Sequence, residues 1–215
     1  MKKYILASLM ASLALLYLSA MAQQARQLTW DDLIPAHLLA EDPIAKLSQE
    51  QQDMAYWVIN MLETLPKRNP QTEENYKEID AAVPALRKAG IDIKKVLAKR
   101  KEIRTSLVKE LDGQLVRIPG YLLPLDVSGA KATEFLLVPY VGACIHVPPP
   151  PPNQIIYVKA AQNNGYDSKK IFEPVWVTGV ISVKSMSKNL FLVDGSAGID
   201  IGYSMQANKI EPYKE

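Results

Sequence analysis

The residues best equipped for chemistry are Cys144 and His146, which stand two positions apart in VGACIHVPPPPPNQIIYV, residues 141–158. In an extended segment, side chains at positions i and i+2 point to the same face, so the thiol and the imidazole could act together. Such a pair could ligate zinc or copper(I), or it could form a nucleophile and its base. Cys144 is the only cysteine, and His37 is the only other histidine.

Other features of the sequence favour a structural cysteine. A structural zinc site normally has four protein ligands, and His37 is distant in sequence, so carboxylates such as Asp194 or Asp200 would have to complete it. A thiol hydrolase takes its base from far along the chain and orients it with a third group. The simplest interpretation is a buried, inert Cys144, because free cysteine behaves mostly as a small hydrophobic residue. A metal site formed by Cys144 and His146 is the alternative, followed by a thiol enzyme.

A run of prolines follows the pair directly and predicts a rigid loop. Each proline lacks the amide hydrogen that a helix interior or a central strand needs, so the run favours polyproline II. Small Gly142 would let the backbone approach another surface closely. A strap that holds the loop in place is favoured over a partner-binding edge, because PxxP ligands usually lie in disordered tails. The predicted rigid loop or partner edge comprises Gly142, Pro148, Pro149, Pro150, Pro151, Pro152, Asn153 and Gln154.

The N-terminus predicts export. Lys2 and Lys3 precede a long apolar run that ends in the small-x-small pattern Ala20-Met21-Ala22, so residues 1–22 are expected to be a signal peptide cleaved after Ala22. An uncleaved inner-membrane anchor is the alternative, because the apolar run approaches the roughly 20 residues that span a bilayer. No later segment is apolar enough to cross a membrane. We therefore expect a periplasmic protein with no transmembrane segment in the mature chain.

The charge of the mature chain argues against nucleic acid as a partner. The chain has 25 Lys+Arg and 23 Asp+Glu, and the signal peptide holds two lysines and no acid, so 23 residues of each sign remain. A neutral balance does not indicate binding of nucleic acid. The sequence also lacks a phosphate-binding glycine loop and a GxSxG elbow, so nucleotide chemistry and serine hydrolysis have no support.

The first part of the mature chain, residues 23–111, is predicted to be helical. Ser48 and Gln51 form a capping-box pattern before a run of apolar residues at helical spacing, which Pro66 ends. Residues 67–75 look turn-like, and a second helix is predicted from about Pro84 to Gly90.

A third predicted helix follows Asp92 and is strongly basic. Its cations are interpreted as a solvated outer face, with docking of a partner or of anionic lipid as the alternative. They are Lys94, Lys95, Lys99, Arg100, Lys101 and Arg104.

Residues 112–215 are predicted to be a β region. Clusters of β-branched and aromatic residues indicate strands at 115–125, 134–141, 155–159, 175–183 and 198–203, and Asp194-Gly195 is a hairpin signal. The pattern Val116-x-Ile118-x-Gly120 recurs as Val175-x-Val177-x-Gly179, which suits strands that bend sharply. The expected fold is α+β, with N-terminal helices packed on a C-terminal OB-like antiparallel β-barrel or strongly bent sheet. An open antiparallel sheet is the alternative.

Three segments carry a resemblance to a known family. LTWDDLIP at 28–35, RIPGYLLPLD at 117–126 and FLLVPYVGACIHVPPPPPNQIIYV at 135–158 resemble exported bacterial proteins classed as a domain of unknown function, with a Cys-x-His-x-Pro-rich motif. Some members are encoded beside components of ABC-type transporters, which implies an accessory role in transport or metal handling. The chain differs from the lipid-anchored members because it has no cysteine at the cleavage site.

The sequence and this resemblance predict a non-catalytic periplasmic binding or adaptor module that is accessory to envelope transport. An envelope protein such as an ABC-type transporter component is the expected partner. The alternative is a periplasmic protein that binds zinc or copper through Cys144 and His146, and the third hypothesis is a thiol-dependent enzyme.

Overall fold

Alternating apolar residues in the second half of the chain build five strands of a six-stranded sheet, and a short N-terminal strand adds the sixth. It is seen in a computed structural model that describes residues 24–39, 42–125, 131–145, 149–161, 165–168, 170–192 and 195–213. The strands are β1 (Arg26–Gln27), β2 (Leu115–Pro124), β3 (Glu134–Val138), β4 (Ile156–Ala160), β5 (Glu173–Leu192) and β6 (Gly195–Pro212). With the helices that precede it, this sheet confirms a mixed α+β fold.

The strand pairings form a ring. β2 pairs antiparallel with β3 on one side and with β5 on the other, and β3–β4 and β5–β6 are also antiparallel. β4 pairs with β6 in parallel, which closes the path β2-β3-β4-β6-β5-β2, and β1 lies parallel to β2. The alternative of an open sheet is therefore wrong. The pairing is mostly antiparallel, and β4 and β6 are parallel because the β5–β6 hairpin returns β6 beside β4 in the same direction.

The repeated glycine pattern has a structural explanation, because its two copies pair with each other. Val116 lies opposite Gly179, and Gly120 lies opposite Val175. A Cβ atom at Gly179 would lie 2.3 Å from the carbonyl oxygen of Gln206, at a point where the β5–β6 register shifts. A Cβ atom at Gly120 would lie 2.9 Å from the ring of Trp30. Both glycines thus permit close approaches that any side chain would block.

β5 and β6 extend beyond the predicted strands into a long hairpin. β5 runs to Leu192 and β6 starts at Gly195, while Asp194 of the predicted turn lies outside the described residues. The outer part of this hairpin, which we call the arm, covers a second apolar cluster on the outside of the ring of strands. There the ammonium group of Lys188 lies 4.5 Å from the centre of the aromatic ring of Tyr157. Serines and lysines alternate with the apolar residues of the arm, which hid this strand from the sequence analysis. The arm contributes Met186, Leu190, Ile199 and Ile201 to the cluster.

In the described part of the chain, three α-helices precede the ring: α1 (Gln49–Thr64), α2 (Glu73–Lys88) and α3 (Ile93–Thr105). The predicted capping box at Ser48 is confirmed, since its hydroxyl accepts from the amide of Gln51 and the Gln51 side chain accepts in return. The predicted start of the second helix is wrong, because Pro84 lies inside α2. A turn in which the Asn69 side chain accepts from the amide of Thr72 leads into that helix instead.

The helices have an apolar core of their own, separate from the interior of the ring. Its buried members include Ile44, Ala55, Val58, Ile59, Ile79, Leu86 and Ile93. No helix within the described ranges is long and apolar enough to cross a membrane. The predicted signal peptide, residues 1–22, lies outside those ranges, so its cleavage and the periplasmic location stay predictions.

Candidate functional site

Cys144 lies in the turn that follows β3, with its side chain among apolar groups. Gly142 and Cys144 both have a positive φ, of 85° and 68°, which turns the chain back against the long hairpin. Cys144 is only 6% exposed, and burial raises the pKa of its thiol to about 11. Its cluster includes Leu123, Leu136, Val138, Ala143, Ile155, Phe172, Leu190, Ile199 and Ile201.

This environment gives Cys144 little aptitude for metal binding or nucleophilic attack, because both need the thiolate and burial favours the neutral thiol. His146 lies outside the described residues, and His37 is exposed in a short 3₁₀ turn, Ala36–Leu38. Among the residues that the structure describes, no three His, Cys, Asp or Glu side chains are grouped so that they could hold a metal ion.

We expect the thiol of Cys144 to react slowly with a labelling reagent in the native protein and quickly after unfolding in urea. Fast labelling of the native protein at neutral pH would show that the thiol is accessible.

The free energy of unfolding should also depend on pH through this thiol. Because burial raises its pKa, the thiol of the unfolded chain loses its proton first as the pH rises. The contribution of the neutral thiol to the free energy of unfolding is therefore present below a pH of about 9 and falls as the pH rises toward about 11. Cys144→Ser should remove this part of the alkaline destabilisation.

The proline run leads into a strap, residues 149–154, which precedes β4 and joins two other parts of the molecule, the end of α3 and the segment around Trp30. The structure describes it from Pro149, while Pro148 lies outside the described residues. The fully buried Asn153 donates through Nδ2 to the carbonyl oxygens of Ile103 and Ser106, at the end of α3. Gln154 donates through Nε2 to the carbonyl oxygen of Trp30 at 2.9 Å.

A second tie joins the same elements through Tyr203 on β6. Its hydroxyl accepts from the amide of Val108 at 2.7 Å and donates to the carbonyl oxygen of Leu33 at 2.8 Å. Tyr203 is completely buried, so the two backbone groups meet its hydroxyl away from water. The strap and this tyrosine together hold the N-terminal segment and the end of α3 against the ring.

The N-terminal segment forms one wall of a groove of about 280 Å³, which we call the aromatic groove. Trp30 is fixed there, because its Nε1 donates to the carbonyl oxygen of Pro119 at 2.9 Å and its ring lies where Gly120 has no side chain. Tyr213 stands opposite, and its amide donates to the carbonyl oxygen of Pro174. The groove is lined by Trp30, Pro119, Gly120, Tyr121, Pro139, Pro174 and Tyr213.

Further aromatic and charged groups extend this surface along the ring. The rings of Tyr213 and Trp176 stack at a centroid distance of 5.5 Å. The guanidinium of Arg117 lies over the ring of Trp176, 4.2 Å from its centroid. Glu211 approaches Arg117 at 3.9 Å and Lys209 at 2.8 Å. A continuous row of Tyr213, Trp176 and Arg117 therefore borders the groove.

Exposed apolar side chains accumulate at this end of the molecule. Tyr213 is 40% exposed, and Tyr140 and Val141, which follow the groove residue Pro139, are 44% and 60% exposed. The described residues offer no hydrogen-bond partner to the hydroxyl groups of Tyr121 and Tyr213, which leaves both as donors. Such a surface can stack planar or proline groups and can donate to carbonyl oxygens.

The aromatic groove is not predicted by the sequence. The predicted site is Cys144, His146 and the proline run, and the segments LTWDDLIP and RIPGYLLPLD indicate only a resemblance to a family. The available signal was Gly120 between Pro119 and Tyr121, because a glycine inside an apolar strand often marks a place where another group approaches closely.

Comparison with known proteins identifies the family. A crystal structure of a DUF3299 family protein from Pseudomonas aeruginosa PAO1, at 2.45 Å resolution, is 33% identical in sequence, with a TM-score of 0.51. The similarity covers 89% of this chain and 98% of that one. No curated protein matches the chain. The family model described as Protein of unknown function (DUF3299) matches residues 30–212, and the chain therefore belongs to the DUF3299 family.

Proposed function

We propose that this protein is a non-catalytic binding module that holds an extended segment of an envelope protein in the aromatic groove. The observation that carries the proposal is the lining of the groove, which combines one tryptophan, two tyrosines and three prolines. Aromatic-lined grooves recognise extended segments because the rings stack on preformed, low-entropy chains. Such chains have no internal hydrogen bonds, so their carbonyl oxygens can accept from the hydroxyl groups of Tyr121 and Tyr213.

We further propose that the ring of strands is an OB-type barrel. Counted from β2, the first strand lies between the second and the fourth, and the third strand runs parallel to the fifth. This arrangement supports the OB assignment, and OB barrels commonly bind extended polymers across their outer strands. The barrel would serve here as a rigid frame for the groove.

The location and the partner belong to the same proposal. The predicted signal peptide supports a periplasmic protein, and the resemblance described above supports an accessory role in envelope transport, with an ABC-type transporter component as the expected partner. The burial of Cys144 favours a binding role for the aromatic groove over the alternatives of a metal protein or a thiol enzyme.

The proposal predicts that Tyr213 in the groove and the exposed Tyr140, which follows the groove residue Pro139, control capture of the partner. The mature protein is used as bait in an envelope extract, alongside a Tyr140→Ala/Tyr213→Ala variant. We expect the variant to retain at most about a tenth of the captured protein, because exposed aromatic residues commonly dominate binding energy. Trp57→Ala is the control, since Trp57 has a similar exposure of 37% on α1. Equal capture by all three proteins, each shown to be folded by circular dichroism, would contradict the proposal.

A further inference from the structure

A second groove lies on the helical side of the molecule, apart from the aromatic groove. It has a volume of about 360 Å³ and lies between α3 and the residues around a 3₁₀ turn, Pro43–Lys46. We call it the basic groove. Its lining residues are Leu38, Asp42, Pro43, Ile44, Lys95, Val96, Lys99, Arg100 and Ile103.

The floor of the basic groove is apolar and follows the helix axis. Val96 and Ile103 from α3 face Leu38 and Ile44 from the opposite wall. The lining on α3 begins at Lys95, so at 1.5 Å per residue the groove extends for roughly 12 Å, or just over two helical turns. On the opposite side, the side chain of Asp42 accepts from the amide of Ile44 at 2.9 Å, which caps the 3₁₀ turn.

The cations of this groove are unequally paired. Arg100 is engaged by Glu63 at 3.1 Å. Lys95 has no carboxylate partner among the described residues, and Lys99 has only a loose contact of 3.9 Å with Glu102. Since residues four apart on a helix are neighbours on its surface, Lys95 and Lys99 form a row of positive charge beside the apolar floor.

We propose that the basic groove binds an acidic, amphipathic segment of a partner protein. The apolar side chains of the segment would enter the groove, and its carboxylates would pair with Lys95 and Lys99. This occupant matches the apolar floor, and it matches the charge of the lining because three cations there outnumber the one carboxylate, Asp42. Amphipathic helices bind hydrophobic grooves in this way. A flat anionic membrane fits less well, because a concave apolar floor would stay unfilled against it. The interaction is separate from the one proposed for the aromatic groove.

The experiment measures fluorescence anisotropy of a labelled probe peptide with the full mature protein. The probe is a helical peptide with leucines at positions i, i+3, i+4 and i+7 and glutamates on both flanks. We expect saturable binding that Lys95→Glu/Lys99→Glu weakens at least about tenfold, which corresponds to about 1.4 kcal/mol. The matched control is Lys94→Glu/Lys101→Glu, which makes the same charge change at exposed positions of α3 outside the groove.

Each outcome decides the proposal. Tight binding of the probe, weak binding of a scrambled peptide of the same composition, and a small effect of the control variant would support it. The proposal fails if the scrambled peptide binds equally or if the control variant loses as much affinity, because either result indicates unspecific attraction to a basic surface. It also fails if the probe does not bind, or if only vesicles containing phosphatidylglycerol bind in a manner that depends on Lys95 and Lys99.

Discussion

Asn153→Asp should destabilise the protein by at least about 3 kcal/mol at neutral pH, measured by unfolding in urea. Asn153 is completely buried and donates to two backbone carbonyl oxygens at the end of α3. Aspartate has nearly the same shape but places a carboxylate oxygen where the donating nitrogen stands. The variant would therefore bury a negative charge against the carbonyl oxygens of Ile103 and Ser106 and leave both without a donor.

The destabilisation of Asn153→Asp should become smaller at low pH. The introduced carboxyl group would have a pKa in the folded protein above its unfolded value of about 3.9, because burial disfavours its charged form. The free energy of unfolding of the variant, relative to the wild type, therefore falls as the pH rises from about 4 to the pKa of this group in the folded protein. It increases again on acidification. Asn153→Ala is the control, and its cost should not depend on pH. Equal losses for both variants at pH 4 and pH 7 would mean that the strap does not bury this position.

Tyr203→Phe should cost about 2–3 kcal/mol of unfolding free energy. The substitution removes only a hydroxyl group, but that group serves the amide of Val108 and the carbonyl oxygen of Leu33. A buried backbone group left without a partner costs about 1–3 kcal/mol, so the cost exceeds that of losing one exposed hydrogen bond.

Tyr203→Phe should also increase local opening of two segments that are distant in sequence. Hydrogen exchange should become faster in residues 28–34 and 106–111, while the central strands of the ring stay protected. Tyr213→Phe is the matched control, because the described residues offer no partner to that hydroxyl, and its effect should stay within about 0.5 kcal/mol. A Tyr203→Phe variant as stable as the control would contradict a role of this hydroxyl in joining the N-terminal segment to the ring.

Local patterns in the sequence predicted much of the secondary structure. The start of α1 was correct because the capping box of Ser48 and Gln51 is a local interaction. The strands β2, β3 and β4 lie close to their predicted positions because alternating or continuous apolar residues mark a buried strand. The start of α2 was wrong because Pro84 was interpreted as a helix start, whereas the helix tolerates it inside.

Features that depend on distant contacts could not be predicted. The outer part of β5 alternates serine and lysine with apolar residues, and it is a strand because β6 pairs with it and the second apolar cluster lies beneath it. The aromatic groove depends on a contact between Trp30 and Pro119, which are 89 residues apart. The cysteine and the proline run attracted attention by their composition alone. Their described parts are a buried thiol and a strap held by Asn153 and Gln154, and only the fold reveals these contacts.

The central claim, that the aromatic groove is a binding surface, is tested most directly by hydroxyl-radical footprinting of the mature protein. Oxidation of individual residues is measured by mass spectrometry, first in buffer and then in an envelope extract that contains the partner. We predict that Tyr140, Val141 and Tyr213 become protected in the extract, while Trp57 on α1 is oxidised equally in both. Equal oxidation of Tyr140, Val141 and Tyr213 in both conditions, or the same protection at Trp57, would contradict the account.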